Sequence, residues 1–309
     1  MRIAILGYGN LGRGAELSAI QQPDMTLAAI FTHRDPAIII PQSDVPVYSC
    51  SELDRHQDEF DVLLLCGGSA SHLPEATPEL AARFDLADSY DNHTRIPEHF
   101  FRTDAAARKG GHVSLICCGW DPGLLSLCRL YAAAALPCGQ SATFWGPGVS
   151  QGHTEALRNL PGVRDAVQFT VPDASVRKSH RRECFVVPED GADRDALTRE
   201  IKSMPHYFAG YETCVSYVSE EALREKKNSF AHSGRFVRDG STGADHRHTI
   251  ECRLRMDSNP EFTGSILLAC ARAVYRMRLR GITGCKTLFD VPPTFLSPLS
   301  PKKLREELL

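Results

Sequence analysis

The chain has 309 residues, of which 42% are hydrophobic and 24% charged, and a formal net charge of −3. That length holds two domains or one large α/β unit, and the near-neutral balance gives no long-range pull toward nucleic acid or anionic lipid. No apolar run reaches the roughly 18–20 residues of a membrane span, and an odd count of 11 cysteines without CxxC spacing reads as reduced thiols in a cytoplasmic protein.

The N-terminal "MRIAILGYGN" enters a strand at once, with no signal-peptide pattern. Strands are expected at residues 2–6, 27–31, 62–66, 86–89 and 113–118, with helices over 11–21, 73–84, 97–109 and 124–136. Short runs apolar on both faces and separated by helices imply a parallel sheet covered on both sides, with ligands at the carboxyl ends of its strands. Several cysteines (Cys66, Cys117, Cys252, Cys270) lie inside apolar runs and read as small core hydrophobes.

The pattern changes after residue 136. "SATFWGPG", "AVQFTV", "ECFVV" and "YETCVSYVS" read as short strands, and "HTIECRLRM" alternates. Thr249, Glu251, Arg253 and Arg255 share one face of it, and Ile250, Cys252, Leu254 and Met256 the other. Such alternation marks a sheet with one wet face, usually antiparallel. Helices expected at 194–204 and 262–280 would cover the other face. The fold class is therefore α/β: a Rossmann-type doubly wound parallel sheet with a second, α+β domain built on a largely antiparallel sheet for substrate binding and dimerisation. The expected boundaries are 1–119 for the dinucleotide-binding domain and 120–290 for the second. The segment 291–309, with its amphipathic "PKKLREELL", is expected to return to the first.

"ILGYGNLGRG" carries Gly7, Gly9 and Gly12 as GxGxxG between a strand and a helix. Gly7 permits the tight turn, Gly9 lets the backbone approach a pyrophosphate, and Gly12 lets helix and strand pack closely; Tyr8, Asn10 and Leu11 complete the loop. The helix N-terminus then offers N–H groups and a positive dipole end to the phosphates. Thr32 falls about twenty residues past Gly12, where an NAD enzyme keeps an acid for the ribose hydroxyl. Here Thr32, His33 and Arg34 read as a 2′-phosphate clamp, which makes the cofactor NADP. Asp35 is the counter-argument, since a carboxylate swung to the ribose would suit NAD. Cys66, Gly67, Gly68 and Ser69 after the next strand, and Pro122-Gly123 after "LICCGWD", extend the cofactor site.

Asp91 and Asn92 in "SYDNH", with Trp120 and Asp121 in "GWDPG", stand at the mouths of neighbouring strands. Paired carboxylates there suit an ammonium or several hydroxyls on a small-molecule substrate. The competing reading makes Asp121 a helix N-cap. No set of ligands at metal spacing occurs, and the expected metal is none.

"GYGNLGR", "SYDNH", "GWDPG", "FWGPGVSQGH", "MPHYFAGYE" and "NPEFT", in this order, resemble the meso-diaminopimelate dehydrogenases over nearly the whole chain. The resemblance implies an NADP-dependent homodimer that oxidatively deaminates the D-configured centre of meso-diaminopimelate. It implies that Asp91, Trp120 and Asp121 surround the reacting centre, with Asp121 and Asp91 as catalytic acids or bases and Asn92 near the cofactor. Trp145, Gln151 and Gly152 would line the pocket, and Thr170, Arg182, His232 and Asn259 would clamp the distal L-amino-acid end.

The residue types suit those roles. Arg182 offers a planar two-pronged grip on a carboxylate. Trp120 and Trp145, the chain's 2 tryptophans, both sit in glycine-rich loops, where a pocket wall explains them better than a core. Each distal residue also has a plainer reading: Arg182 as a solvated edge residue, His232 as a loop histidine, Asn259 as an N-cap before Pro260. His153 and His248 are read as structural. Three departures from the family are a short "PDASVRK" between residues 171 and 179, His33 where an arginine is more familiar, which implies a weaker NADP preference, and oxidisable Cys117-Cys118 beside the site. The rival readings are another two-domain NADP oxidoreductase, acting on a sugar or a different D-amino acid, and a non-catalytic NADP-binding sensor.

Overall fold

The structure is a computed structural model that describes residues 1–173, 180–227, 231–243 and 246–309. The chain divides into two compact units, the first comprising Met1–Leu127 and Pro260–Leu309, the second Cys128–Asn259.

In the first unit the chain runs β1 (Arg2–Leu6), α1 (Asn10–Ile20), β2 (Thr26–Thr32), β3 (Val47–Ser49), β4 (Val62–Leu65), α2 (Leu73–Ala81), β5 (Leu86–Asp88), α3 (Ile96–Gly110), β6 (Val113–Leu115) and the start of α4 (Leu124–Ala135). The second unit carries β7 (Gly139–Trp145), β8 (Gly148–Val149), α5 (Gln151–Arg158), β9 (Val163–Pro172), β10 (His180–Pro188), α6 (Arg194–Ser203), β11 (Thr213–Tyr217), α7 (Glu220–Lys227), β12 (His232–Ser241) and β13 (Arg247–Met256). The chain then returns to the first unit through α8 (Asn259–Arg278), β14 (Gly284–Lys286) and α9 (Pro301–Leu308).

The first unit's seven-stranded sheet has the order β14-β6-β5-β4-β1-β2-β3, with every pair parallel. Without β14 this is the 3-2-1-4-5-6 order of doubly wound nucleotide-binding sheets. Strands β1 and β4 are apolar on both sides because both sides are covered. Ile3, Ile5 and Leu64 face one core; Ala4, Leu63 and Leu65 face the other with Phe31, Phe60 and Phe84. Each large side chain so buried contributes roughly 1.5–3 kcal/mol.

Helix α8 belongs to the first core, where Leu267, Leu268, Ala271, Val274 and Met277 are sealed from solvent. Sequence pattern had placed this helix over the second domain's sheet; the structure instead lays it against α1. A Cβ on Gly14 would stand 2.5 Å from the Pro260 carbonyl, and one on Gly264 would stand 2.6 Å from Ala15 N. Arg272 ties the same unit together. Its buried guanidinium donates from Nε to Asp24 Oδ2 at 2.7 Å, from Nη2 to Gln22 Oε1 at 2.7 Å and from Nη1 to the Leu296 carbonyl at 2.8 Å.

The second unit contains two sheets rather than one: β11-β10-β9-β8 and β13-β12-β7. All its pairings are antiparallel except β10 with β11, which the α6 crossover joins in parallel. Leu157, Val163, Val186, Leu197, Ile201 and Phe208 form its main core. Strand β13 alternates as its sequence predicts, half-buried at Ile250, Cys252 and Leu254 and exposed at Thr249, Glu251, Arg253 and Arg255. Strands β3, β12 and β14 and helices α5 and α7 were not expected from sequence. No helix of the described residues is long and apolar enough to cross a membrane, and no group of three metal-ligating side chains occurs among them.

Candidate functional site

The glycine turn follows β1 directly. Gly7 holds φ +97° and donates its N–H to the Phe31 carbonyl at 2.9 Å, which locks the turn to β2. A Cβ on Gly12 would lie 2.2 Å from the Gly7 oxygen, whereas one on Gly9 would meet nothing within 4 Å. Helix α1 then begins without a side-chain cap and without an acidic residue in its first turn. Open space over Gly9, beside N–H groups at a positive dipole end, fits a dinucleotide pyrophosphate.

Glu16, nearly two turns into α1, organises this loop. It is fully buried and its carboxylate accepts from Gln42 N at 2.8 Å and Ser43 N at 2.7 Å, and from the Tyr8 hydroxyl. Burial first, and the neighbouring carboxylate second, push the Tyr8 hydroxyl well above its usual pKa. Nothing in the sequence reading singled out Glu16; the available signal was an acid on the buried side of an otherwise small-residue helix.

At the end of β2, Thr32 is buried and its Oγ1 accepts the Arg34 N–H at 3.1 Å. The Arg34 guanidinium reaches back to donate to the Tyr8 carbonyl, so it lies beside the glycine turn. His33 stacks on His72 with ring centroids 5.5 Å apart. Asp35 Oδ1 accepts from Ala37 N at 3.0 Å, capping the short turn at Pro36–Ile38. The one acid that argued for NAD is thus engaged in the backbone.

The next strand ends converge through hydrogen bonds. Ser69 Oγ, in the loop after β4, accepts from Asp91 N at 3.2 Å. Asp88, the last residue of β5 and fully buried, accepts from Tyr90 N at 3.1 Å, Cys117 N at 2.9 Å and Thr77 Oγ1 at 2.9 Å. It also meets His99 Nε2 at 2.7 Å. One carboxylate therefore joins the segment carrying Asp91 to the segment carrying Trp120 and Asp121. Sequence reasoning passed over Asp88, although a carboxylate inside a buried strand signals a satisfied polar network.

Beyond β6, Cys117 adopts φ +61°, a left-handed conformation that costs a β-carbon-bearing residue on the order of 1 kcal/mol or more. Gly123 at φ +135° closes the "GWDPG" turn so tightly that a Cβ would lie 1.8 Å from the Gly119 oxygen. Trp120 is buried, while Asp91, Asn92 and Asp121 are partly exposed. Burial pushes the Cys117 and Cys118 thiols well above the usual range. Both thiols are buried, and Cys66 is likewise pushed up to about 12.

In the second unit Thr170 on β9 pairs with Arg182 on β10, which pairs with Thr213 on β11. Arg182 is only 4% exposed, not a solvated edge residue, and its Nε and Nη1 meet no acceptor among the described residues. Its guanidinium carbon lies 3.8 Å from the Tyr211 ring centroid and 5.7 Å from that of Phe208. Desolvation makes the charged form costlier and lowers its pKa. A buried cation with spare donors is a site for an anion. Gln168 Nε2 donates to Thr170 Oγ1 at 3.4 Å.

His232 opens β12 rather than lying in a loop. It is 6% exposed, its Nδ1 accepts from Ser233 N at 2.8 Å, and burial lowers its pKa, which favours the neutral ring. Trp145, partly buried at the end of β7, stands edge-on to His180 at 5.3 Å. The "GPG" that follows is forced by sterics, since a Cβ on Gly146 would come 2.2 Å from the Thr170 oxygen. Gln151 and Gly152 open α5, the Gln151 side chain lying outside the described set. Asn259 is buried at the start of α8. The short stretch at 174–179 also lies outside the described residues.

A doubly wound parallel sheet, a glycine turn with room for a pyrophosphate and a hydroxyl–imidazole–guanidinium cluster at the ribose position define a dinucleotide-dependent dehydrogenase. Residues 119–258 match the family model described as the diaminopimelic acid dehydrogenase C-terminal domain. The whole chain is 48% identical to the meso-diaminopimelate D-dehydrogenase of Acetivibrio thermocellus, covering 98% of that protein. Over 96% of each chain it is 42% identical to that of Corynebacterium glutamicum. The chain belongs to the meso-diaminopimelate D-dehydrogenase family. Among solved structures, an engineered D-amino acid dehydrogenase bound to NADP+ matches with a TM-score of 0.94 at 39% identity, covering 100% of this chain and 99% of that one. The C. glutamicum diaminopimelate dehydrogenase in complex with its ligand gives 0.92 at 41% identity, with the same coverage.

Proposed function

We propose that the protein is an NADP-dependent dehydrogenase that oxidatively deaminates the D-configured centre of meso-2,6-diaminopimelate, giving L-2-amino-6-oxopimelate and ammonia. The observation that carries this reading is Arg182: a buried guanidinium with two donor nitrogens, Nε and Nη1, that meet no acceptor among the described residues, in a chain related over its full length to enzymes of that name.

Gly7, Gly9, Gly12 and the α1 N-terminus hold the pyrophosphate, with Tyr8, Asn10 and Leu11 shaping the loop. Thr32, His33 and Arg34 hold the 2′-phosphate. Residues Cys66 to Ser69, Asp91, Asn92 and Asp121 to Gly123 border the remainder of the cofactor, which supplies a hydride acceptor when bound. Asp91 and Asp121 take the substrate's D-ammonium, and Asp121 accepts the proton that this group must lose before its C–H bond is broken. Trp120 and Trp145, with Gln151 and Gly152, wall the reacting end and limit water. Water then adds to the imine carbon, the C–N bond breaks and ammonia leaves. At the other end Arg182 and Thr170 take the carboxylate, a neutral His232 supplies a further hydrogen bond, and Asn259 accepts from the ammonium.

The reading includes a cytoplasmic homodimer. All 11 cysteines are free thiols, which suits a reducing compartment, and the family resemblance supports the dimer. The test is to mix the purified protein with NADP and follow reduced nicotinamide on adding meso-diaminopimelate, its LL isomer, simple D-amino acids or a polyol, with NAD in parallel. Reduction confined to the meso form and NADP is expected. Turnover of a sugar, or tight NADP binding with no turnover of any amino acid, would overturn the reading in favour of another oxidoreductase or a sensor.

A further inference from the structure

Among the described residues the Arg182 guanidinium has no carboxylate partner, and at 4% exposure it meets little solvent; its contact is with Tyr211, through both ring face and hydroxyl. Its central carbon stands 3.8 Å from the centroid of the Tyr211 ring. That ring belongs to a series running along the unit: Trp145 meets His180 edge-on at 5.3 Å, and His180 meets Tyr211 at 4.9 Å with an interplanar angle of 38°. Phe208 supplies a second ring 5.7 Å from the same guanidinium. Tyr211 lies in the connection before β11, where Arg182 N also donates to the Glu212 carbonyl at 2.8 Å. Backbone and side chain of Arg182 are therefore both held by the segment that ends "AGYE".

We propose that Tyr211 is a positioning residue for the distal clamp: the face of its ring holds the Arg182 guanidinium in plane, leaving Nε and Nη1 directed at the substrate's far carboxylate. A guanidinium attracted to an aromatic face keeps its edge donors available, because stacking uses the face and carboxylate binding uses the rim. The ring fixes the fork before the ligand arrives, so less order is lost on binding. Substrates that carry a carboxylate at that distance from the reacting centre gain from the arrangement, and D-amino acids whose far end is a methyl group do not. Through His180 the same ring also sets the attitude of Trp145. The inference rests on the diaminopimelate reading and deepens it.

The experiment is a substitution cycle on the full-length enzyme. Tyr211→Phe keeps the ring face, loses only the hydroxyl contact and should leave KM for meso-diaminopimelate within about threefold, whereas Tyr211→Leu should raise it about tenfold or more, as expected for a largely desolvated cation–ring contact. KM for NADP should move in neither. In an Arg182→Met background, Tyr211→Leu should add little, because the cation–ring contact it removes is already gone. Equal effects of the Phe and Leu variants, no change with Leu, or additivity with Arg182→Met would each overturn the inference. If Tyr211→Leu does not fold, Tyr211→Met serves in its place, with the same expectation. A wild type that fails to oxidise meso-diaminopimelate would sink the parent reading alone. Calorimetric binding of L-norleucine, whose α-carboxylate presents the same group, then decides the inference: affinity lost with Leu and kept with Phe upholds it, any other pattern ends it.

Discussion

Asp88 and His99 meet at 2.7 Å, with 0% of one side chain and 3% of the other exposed. The same carboxylate takes backbone N–H groups from the segments that follow β5 and β6. A group of this kind makes two loops move as one: neither the Asp91 segment nor the Cys117 segment can shift without leaving a buried N–H unpaired.

Asp88→Asn keeps an oxygen for the Tyr90 and Cys117 N–H groups but puts an NH2 where Thr77 and His99 now meet Oδ2, so both must reverse their hydrogen bonds and the negative charge beside His99 is lost. The substitution is expected to destabilise the fold by about 2–3 kcal/mol and to lower kcat about tenfold at temperatures where the variant is still folded. Thermal unfolding and steady-state rates check it; an unchanged kcat would leave Asp88 as scaffold only.

Gly9 and Gly12 should part company on mutation. Gly9→Ala adds a methyl group into open space, so its melting temperature should stay close to wild type while NADP affinity falls tenfold or more. Gly12→Ala drives the same group to 2.2 Å from the Gly7 oxygen and should cost about 2–3 kcal/mol of stability as well. Dye-monitored melting with and without NADP separates the two.

Removing Arg34 should act on one cofactor and spare the other. Arg34→Ala is expected to weaken NADP binding about tenfold or more, the size of a lost charge-assisted contact, and to change NAD binding by less than about threefold. Dissociation constants for both cofactors decide it, and a parallel loss of NAD would move Arg34 from phosphate recognition to loop support.

Arg182→Met exchanges a buried, under-satisfied cation for an apolar chain of similar length. Stability should hold or rise while KM for the substrate climbs about a hundredfold. A large drop in melting temperature would show that the guanidinium is a structural tie after all.

The ring of His232 sets a pH dependence. Burial lowers its folded-state pKa below the ordinary 6.5, so between those two values the unfolded chain binds a proton that the folded chain refuses. Its contribution to stability is complete above about pH 6.5 and is lost as pH falls toward the folded value. Unfolding free energies of wild type and His232→Gln, compared across that interval, should converge at the acid end; parallel profiles would contradict it.

The first unit was readable because its code is local. A strand that is apolar on both faces, a glycine turn and a helix follow one another, and the β1–Gly7–α1 segment needs nothing from elsewhere to be recognised. What escaped was decided by distant partners. His232 reads as a loop residue in "FAHSG" because β12 gains its identity only by lying between β7 and β13. Helix α8 carries a 3.6-residue pattern that says it covers a sheet, but which sheet depends on close approach at Gly14 and Gly264. Asp88, Glu16 and Tyr211 were missed for one reason: each acts by what surrounds its polar atoms or ring face, and no spacing in the chain reports that.

The route of the chain carries one more consequence. The nucleotide-binding unit is written in two pieces, Met1–Leu127 and Pro260–Leu309, and the other unit is the uninterrupted stretch between them. On a ribosome that middle stretch emerges whole, while the sheet begun by β1 must wait exposed for α8 and β14. Its first apolar strands are therefore the part of the nascent protein most in need of shelter, and the last section of the message to be read is the one that closes the earliest section over.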